Sequence, residues 1–174
     1  MELFLLEIIM KKRLFALIAL ISICITGCSK DQDLETYNEN IRAFTLNIAD
    51  ISTRMEEIDT ASDTAASEVL VCLDEMQEQF LTLAEMDVPK EFASIENLAD
   101  EASEYMTEAV MLYHEVFESE EYSEETASIA QENYNRAMKR LSYISSLLQG
   151  ELPEGEDIII TEEEQLDFEP VKEE

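Results

Sequence analysis

Apolar residues recur every three or four positions along most of this chain, the period of one face of an α-helix. Leu34, Tyr37, Ile41, Phe44, Ile48, Ile51, Met55 and Ile58 are spaced 3, 4, 3, 4, 3, 4 and 3, a heptad seam that predicts one long amphipathic helix. Ala65, Val69, Leu73, Met76, Phe80 and Leu83 share one face of a second segment, from about Asp63 to Met86. A third helix is expected to start at Pro89, since a first turn tolerates a residue without an N–H. Its seam is Ile95, Leu98, Ala102, Tyr105, Ala109, Leu112 and Val116, widened by Phe92, Ala99, Met106 and Tyr113, and it ends near Ser119. Ser123 is an N-cap candidate followed by Glu124 and Glu125, which complement the helix dipole. The fourth seam then runs through Ala127, Ala130, Tyr134, Ala137, Leu141, Ile144 and Leu148 to a stop at Gly150.

Four segments of similar length with short connections predict an all-α fold, an up-down four-helix bundle over residues 34–149. The break between the first two segments is the open point. Thr60 to Thr64 contains no Gly or Pro, and the first seam continues in phase through Ala65, Val69 and Met76. A three-helix bundle with one continuous first helix from Leu34 to Met86 is therefore the alternative. Beyond the bundle, residues 150–174 change character: Glu151 to Glu174 holds 11 acids and one base, with Pro153, Gly155 and Pro170. That composition predicts a disordered acidic tail. Within it Ile158, Ile159 and Ile160, with Leu166 and Phe168, form the one apolar stretch. They read either as a partner-docking segment or as a sticky patch guarded by its flanking acids.

The N-terminus has a different pattern. Lys11-Lys12-Arg13 precedes an apolar run from Leu14 to Thr26, 13 residues long, whereas a spanning helix needs about 20. A short apolar core behind a basic cluster reads as an export signal. Glu2 and Glu7 oppose insertion with the positive end inside, so Met10 is the expected start. The four residues that close the run, Ile25-Thr26-Gly27-Cys28, resemble the lipobox of bacterial lipoproteins at every position. That resemblance implies a diacylglyceryl group on the Cys28 thiol, cleavage between Gly27 and Cys28 by the dedicated signal peptidase, and a mature chain that begins at Cys28. It places the protein in a bacterial cell envelope, on the outer face of the cytoplasmic membrane or in the periplasm. Residues 1–27 are then a signal peptide, and residues 28–33 are the lipidated cysteine with a short tether.

Charge narrows the partners. The 174 residues carry 41 Asp and Glu against 11 Lys and Arg, a formal net charge of -30. Such a polyanion has no attraction for nucleic-acid phosphates. Cys28 and Cys72 are the only cysteines after the export signal, so an acylated Cys28 leaves no intramolecular disulfide.

Few residues of the chain support catalytic chemistry. His114 is the only histidine, which leaves no Ser-His-Asp or Cys-His arrangement with local support, and its place between Leu112 and Val116 predicts a boundary residue with a partly exposed ring. Carboxylate-bridged di-iron bundles need Glu-x-x-His, but Met111 stands three residues before His114. Asp31, Asp33 and Glu35 alternate as in a calcium loop, yet Thr36 replaces the required Gly and Arg42 the bidentate Glu. Glu101, Glu104 and Glu108 share a helix face, and Glu118, Glu120, Glu121, Glu124 and Glu125 cluster at the last turn; both read as solvated acidic surface. Met55, Met76, Met106 and Met138 lie on or beside the apolar stripes, where Met fills gaps in a core, and Cys72 reads as a small buried hydrophobe. No cofactor and no metal site is expected. The expected function is non-enzymatic: a lipid-anchored, acidic helical protein attached to the membrane through its N-terminus and binding a basic protein or peptide. A small-ligand or metal-cation-binding lipoprotein is the alternative, and a hydrolase a weaker third.

Overall fold

The computed structural model describes residues 32–151, Glu120 and the side chains of Gln32, Asp33 and Glu91 excepted. Among these residues all regular structure is helical: α1 (Gln32–Glu57), α2 (Ala65–Ala84), a 3-10 turn (Lys90–Phe92), α3 (Ala93–Glu118) and α4 (Glu124–Leu148). The Cys28 lipidation site, the Gly27–Cys28 cleavage site and the apolar tail residues Ile158, Ile159, Ile160, Leu166 and Phe168 lie outside the described residues.

The helix breaks have local causes. Between α1 and α2 the short polar side chains of 59–64 compete with the helical backbone for its own hydrogen bonds. Asp59 Oδ1 accepts from the Ala61 N–H at 3.0 Å, the Asp59 carbonyl accepts from Ser62 N–H at 2.9 Å, and Ser62 Oγ accepts from Thr64 N–H at 3.2 Å. These bonds close a turn without Gly or Pro, so the continuous first helix is not the structure adopted. Ile58 and Ala65 are buried on either side of the turn and anchor it. Pro89 does not open α3 as the sequence suggests. It precedes the 3-10 turn, where its carbonyl accepts from Phe92 N–H at 2.8 Å, and α3 proper starts at Ala93. At α4 the Ser123 hydroxyl accepts from Thr126 N–H at 3.1 Å, the cap expected there. Gly150 ends α4 at φ +74°; Glu151 N–H reaches the Ser146 carbonyl and Gly150 N–H the Leu147 carbonyl, both at 2.9 Å, the paired bonds of a Schellman stop.

Consecutive helices run antiparallel, as their cross-links show. Asn47 and Arg54 of α1 meet Gln79 and Glu75 of α2. Gln77 and Asp74 of α2 meet Thr107 and His114 of α3, and Glu101 and Tyr113 of α3 meet Arg140 and Gln131 of α4. The end of α4 returns to α1, where Leu141, Ile144 and Leu148 share a crevice with Ile41, Phe44 and Leu83. The result is a helical bundle around one apolar core.

The seams expected for α1, α2 and α4 are those buried, except that Leu34 and Leu148 at the outer ends are only half-buried. In α3 the core face lies toward the widening side of the expected stripe. Leu98, Tyr105 and Leu112 are half-buried, whereas Ala99, Met106 and Tyr113 are almost fully enclosed along with Ile95, Ala102 and Ala109. A helix flanked by neighbours on two sides must bury a wider arc than a two-stranded seam supplies. The most extensive helix–helix contact is between α3 and α4, the helices that carry Ala102, Ala109, Ala130 and Ala137, all at 0% exposure.

Candidate binding groove and charged faces

α1 and α2 separate towards the end where α2 stops. The chain from Glu85 to Lys90 crosses that opening and leaves a groove of about 970 Å³, within the size range of ligand pockets. Its walls follow from helical spacing. Thr36, Asn40, Ala43 and Asn47 succeed one another at intervals of 4, 3 and 4 on one flank of the α1 seam, and Gln79 and Thr82 line the opposite wall from α2. Tyr37 and Phe44 reach the same groove from the core, at 2% and 3% exposure. Asn47 Nδ2 donates to Gln79 Oε1 at 2.9 Å across the closed end.

In so acidic a chain these walls are neutral, and charge enters only at the rim through Glu85, Asp87 and Lys90. Tyr37 stacks on Phe92 with ring centroids 6.1 Å apart, yet its phenolic oxygen is buried with no hydrogen-bond partner among the described residues. Burial pushes the phenol up to about 12, so it stays protonated at neutral pH and keeps a hydrogen to donate. The sequence pattern held a signal for this groove that was not read from it: Asn40 and Asn47, seven residues apart beside the α1 seam.

A second feature missed by sequence reasoning is the basic stretch Arg136, Lys139 and Arg140 on α4, three of the chain's 11 bases within five residues. Arg140 lies over the rings of Tyr105 and Tyr143, 5.7 and 5.8 Å from their centroids, and Arg136 over Tyr105 at 5.6 Å. Burial works against the charge of Arg140, whose side chain is 12% exposed, but the hydrogen bond to Glu101 and the attraction of Glu101, Tyr105 and Tyr143 together outweigh it and hold the guanidinium above its ordinary value. The guanidinium side chains thus cover aromatic surface and bind α4 to α3.

The sequence candidates within the described residues take structural places. His114 is half-buried between α2 and α3, with Nδ1 2.8 Å from Glu118 Oε1 and Nε2 2.8 Å from Asp74 Oδ1. Those two hydrogen bonds raise its pKa. Cys72 is a free, buried thiol, and burial raises its pKa above that of an ordinary cysteine, opposite to what a reactive thiol needs. Glu104 and Glu108 are exposed, while Glu101 pairs with Arg140. Glu118 is tied to His114, and Glu121, Glu124 and Glu125 are exposed. Asp33 and Glu35 fall on the helical first turn of α1, not in a loop. Among the described residues no group of three or more His, Cys, Asp or Glu side chains is placed to hold a metal ion, and no helix is long and apolar enough to cross a membrane.

Compared with models of protein families, with curated proteins and with solved structures, the chain has no match.

Proposed function

We propose that this chain is an exported, lipid-anchored binding protein of the bacterial envelope that acts without catalysis and engages a basic protein or peptide partner. The observation that carries the reading is the ordered succession Lys11-Lys12-Arg13, a 13-residue apolar run, and Ile25-Thr26-Gly27-Cys28, joined to a helical body of strong negative charge. An acyl pair on Cys28 anchors a protein that has no need of a spanning helix, each buried CH₂ contributing about 0.8 kcal/mol. α1 has begun by Gln32. Only residues 29–31 then separate it from the anchor, a reach of at most about 11 Å, so the bundle stands close to the lipid headgroups. Complementary charge would bring a basic partner to it and set the encounter rate.

Mass spectrometry of the protein from membrane fractions tests the anchor. The N-terminal peptide should begin at Cys28 with a diacylglyceryl mass on sulfur, and Cys28→Ser should release the chain from membranes. An unmodified Cys28 in a membrane-bound protein would sink this part. Capture from envelope extract by the intact detergent-solubilised protein tests the partner, compared with a chain ending at Gly150. Loss of capture on truncation would assign docking to the tail segment containing Ile158, Ile159, Ile160, Leu166 and Phe168. Capture that is the same at low and at 0.5 M salt would refute charge-led recognition. The second reading, a small-ligand lipoprotein, is favoured by the α1–α2 groove. A ligand held there would raise the unfolding temperature by mass action.

A further inference from the structure

We propose that two copies of this chain exchange α1: residues 58–64 straighten, α1 and α2 become one continuous helix, and the α1 of each copy packs on the α2, α3 and α4 face of the other. Neither the lipid anchor nor a basic partner is required for it. Met55, Ile58, Ser62, Ala65, Val69, Cys72 and Met76 keep the alternation of 3 and 4 unbroken across the turn, and all but Ser62 are buried. The apolar face of α1 therefore continues onto that of α2 in the register of a single helix.

Nothing in the turn forbids that helix. Residues 58–64 contain no Gly or Pro, and among the described residues only Gly150 has a positive φ. Thr64, just before α2, already lies in the right-handed region at φ −97° and ψ −4°, and α2 starts without a side-chain cap. The side-chain bonds of Asp59, Ser62 and Thr64 that close the turn are solvent-exposed, so water competes for the same groups and their net contribution is small. Of the four helices α1 has the least extensive contact with the others, and it stands away from α2 along the groove at the open end. Straightening by one copy alone would leave Tyr37, Ile41, Phe44, Ile48, Ile51 and Met55 in water, and each is at most 6% exposed in the bundle. A second copy that has given up its own α1 offers the same face that these side chains leave. Reciprocal exchange thus restores the core contacts and closes with two-fold symmetry. The closed and exchanged states then differ in the turn, in the entropy of pairing and in the repulsion between two chains of charge -30, and that repulsion shrinks with salt.

The distance between residues 47 and 79 of one chain, measured by pulsed electron paramagnetic resonance, tests this. Intact protein carrying Asn47→Cys and Gln79→Cys is spin-labelled at both positions and diluted into unlabelled wild type in detergent, so that only pairs within one chain are read. The mixture is equilibrated in urea below the unfolding midpoint and returned to buffer. In the closed bundle these side chains meet across the two helices, whereas in a continuous helix their separation of 32 residues spans about 48 Å. Labelling of protein without the two added cysteines should give neither distance. The long distance should appear as protein concentration rises, and its share should grow at least threefold between 0.05 M and 0.5 M sodium chloride. Asp59→Ala with Ser62→Ala and Thr64→Ala, which removes the bonds of the turn and favours helix, should raise the ratio of long to short at least tenfold. Thr60→Gly with Ala61→Gly, which disfavours helix, should suppress it. Circular dichroism checks that each variant is folded. The short distance alone at high concentration and salt would overturn the proposal, as would a long-distance share unmoved by the turn variants. A long distance independent of protein concentration would overturn it as the opening of a single copy, and a dimer by light scattering that keeps the short distance would overturn it as an association of closed bundles.

Discussion

His114 shows how one residue ties two helices together and leaves a signature in pH. Its ring spans from Glu118 on its own helix to Asp74 on α2, both at 2.8 Å, and those bonds favour the imidazolium. The folded-state pKa is therefore raised above the ordinary value near 6.5. A group raised on folding contributes stability that is fully present below its unfolded pKa and lost as pH rises through the folded one. The difference in unfolding free energy between wild type and His114→Gln should accordingly be larger at pH 6 than at pH 8. Its size should be about 1 kcal/mol or less, as for other solvent-accessible pairs. Denaturant titrations at both pH values check it, together with a ¹H–¹⁵N titration of the ring, whose midpoint should exceed 6.5. A flat difference would mean that the two carboxylates do not hold the charge. From the sequence His114 could be placed at a helix boundary by its neighbours Leu112 and Val116, but Asp74 is forty residues away, and no local pattern names a partner across that distance. Tyr37 was legible only as a core residue for the same reason: its unpaired hydroxyl depends on what surrounds it, not on its spacing.

At the scale of helices, what the sequence held was periodicity, and periodicity places faces better than it places breaks. The seams of α1, α2 and α4 were readable because apolar side chains at intervals of three and four have one way to leave water together. The break after Glu57 was harder to read because Gly and Pro are absent, although Asp59, Ser62 and Thr64 were enough to turn the chain through their own side chains. In α3 the wide stripe contained the buried positions, Ala99, Met106 and Tyr113 among them, but Leu98, Tyr105 and Leu112 are only half-buried, since a single helix does not reveal on which side its neighbours will pack. Its contact with α4 explains the alanines. Ala102, Ala109, Ala130 and Ala137 are fully buried on the two helices in most extensive contact, so larger side chains there must force neighbours apart. Ala130→Leu should lower stability by about 1–3 kcal/mol through overpacking, whereas the same change at exposed Ser128 should be nearly silent, as denaturant unfolding can establish. The N-cap offers a second check on α4. Ser123→Ala removes the acceptor of the Thr126 N–H bond and should cost about 1 kcal/mol. Asp at the same position should restore it, adding a negative charge where the helix dipole favours one.

The whole molecule carries a charge that its fold must tolerate. Against a net -30, arginines are placed where they link helices or stabilise one: Arg54 reaches Glu75 and Asp50, Arg136 reaches Glu132, and Arg140 reaches Glu101. These attractions act within about 4 Å, whereas the repulsion among the remaining carboxylates acts over tens of ångströms. Salt discriminates between the two, because the Debye length falls from about 30 Å at 0.01 M to 8 Å at 0.15 M and removes the long-range part first. Stability should therefore rise with salt, and each kcal/mol of relieved repulsion should raise the unfolding temperature by about 2–4 °C for a chain of this size. Calorimetry between 10 mM and 300 mM sodium chloride measures this directly, and a falling temperature would show that ion pairs, not repulsion, dominate. Partner binding led by charge must respond in the opposite sense, weakening over the same range. The two opposite responses together separate the stability of the bundle from charge-led recognition by its acidic surface.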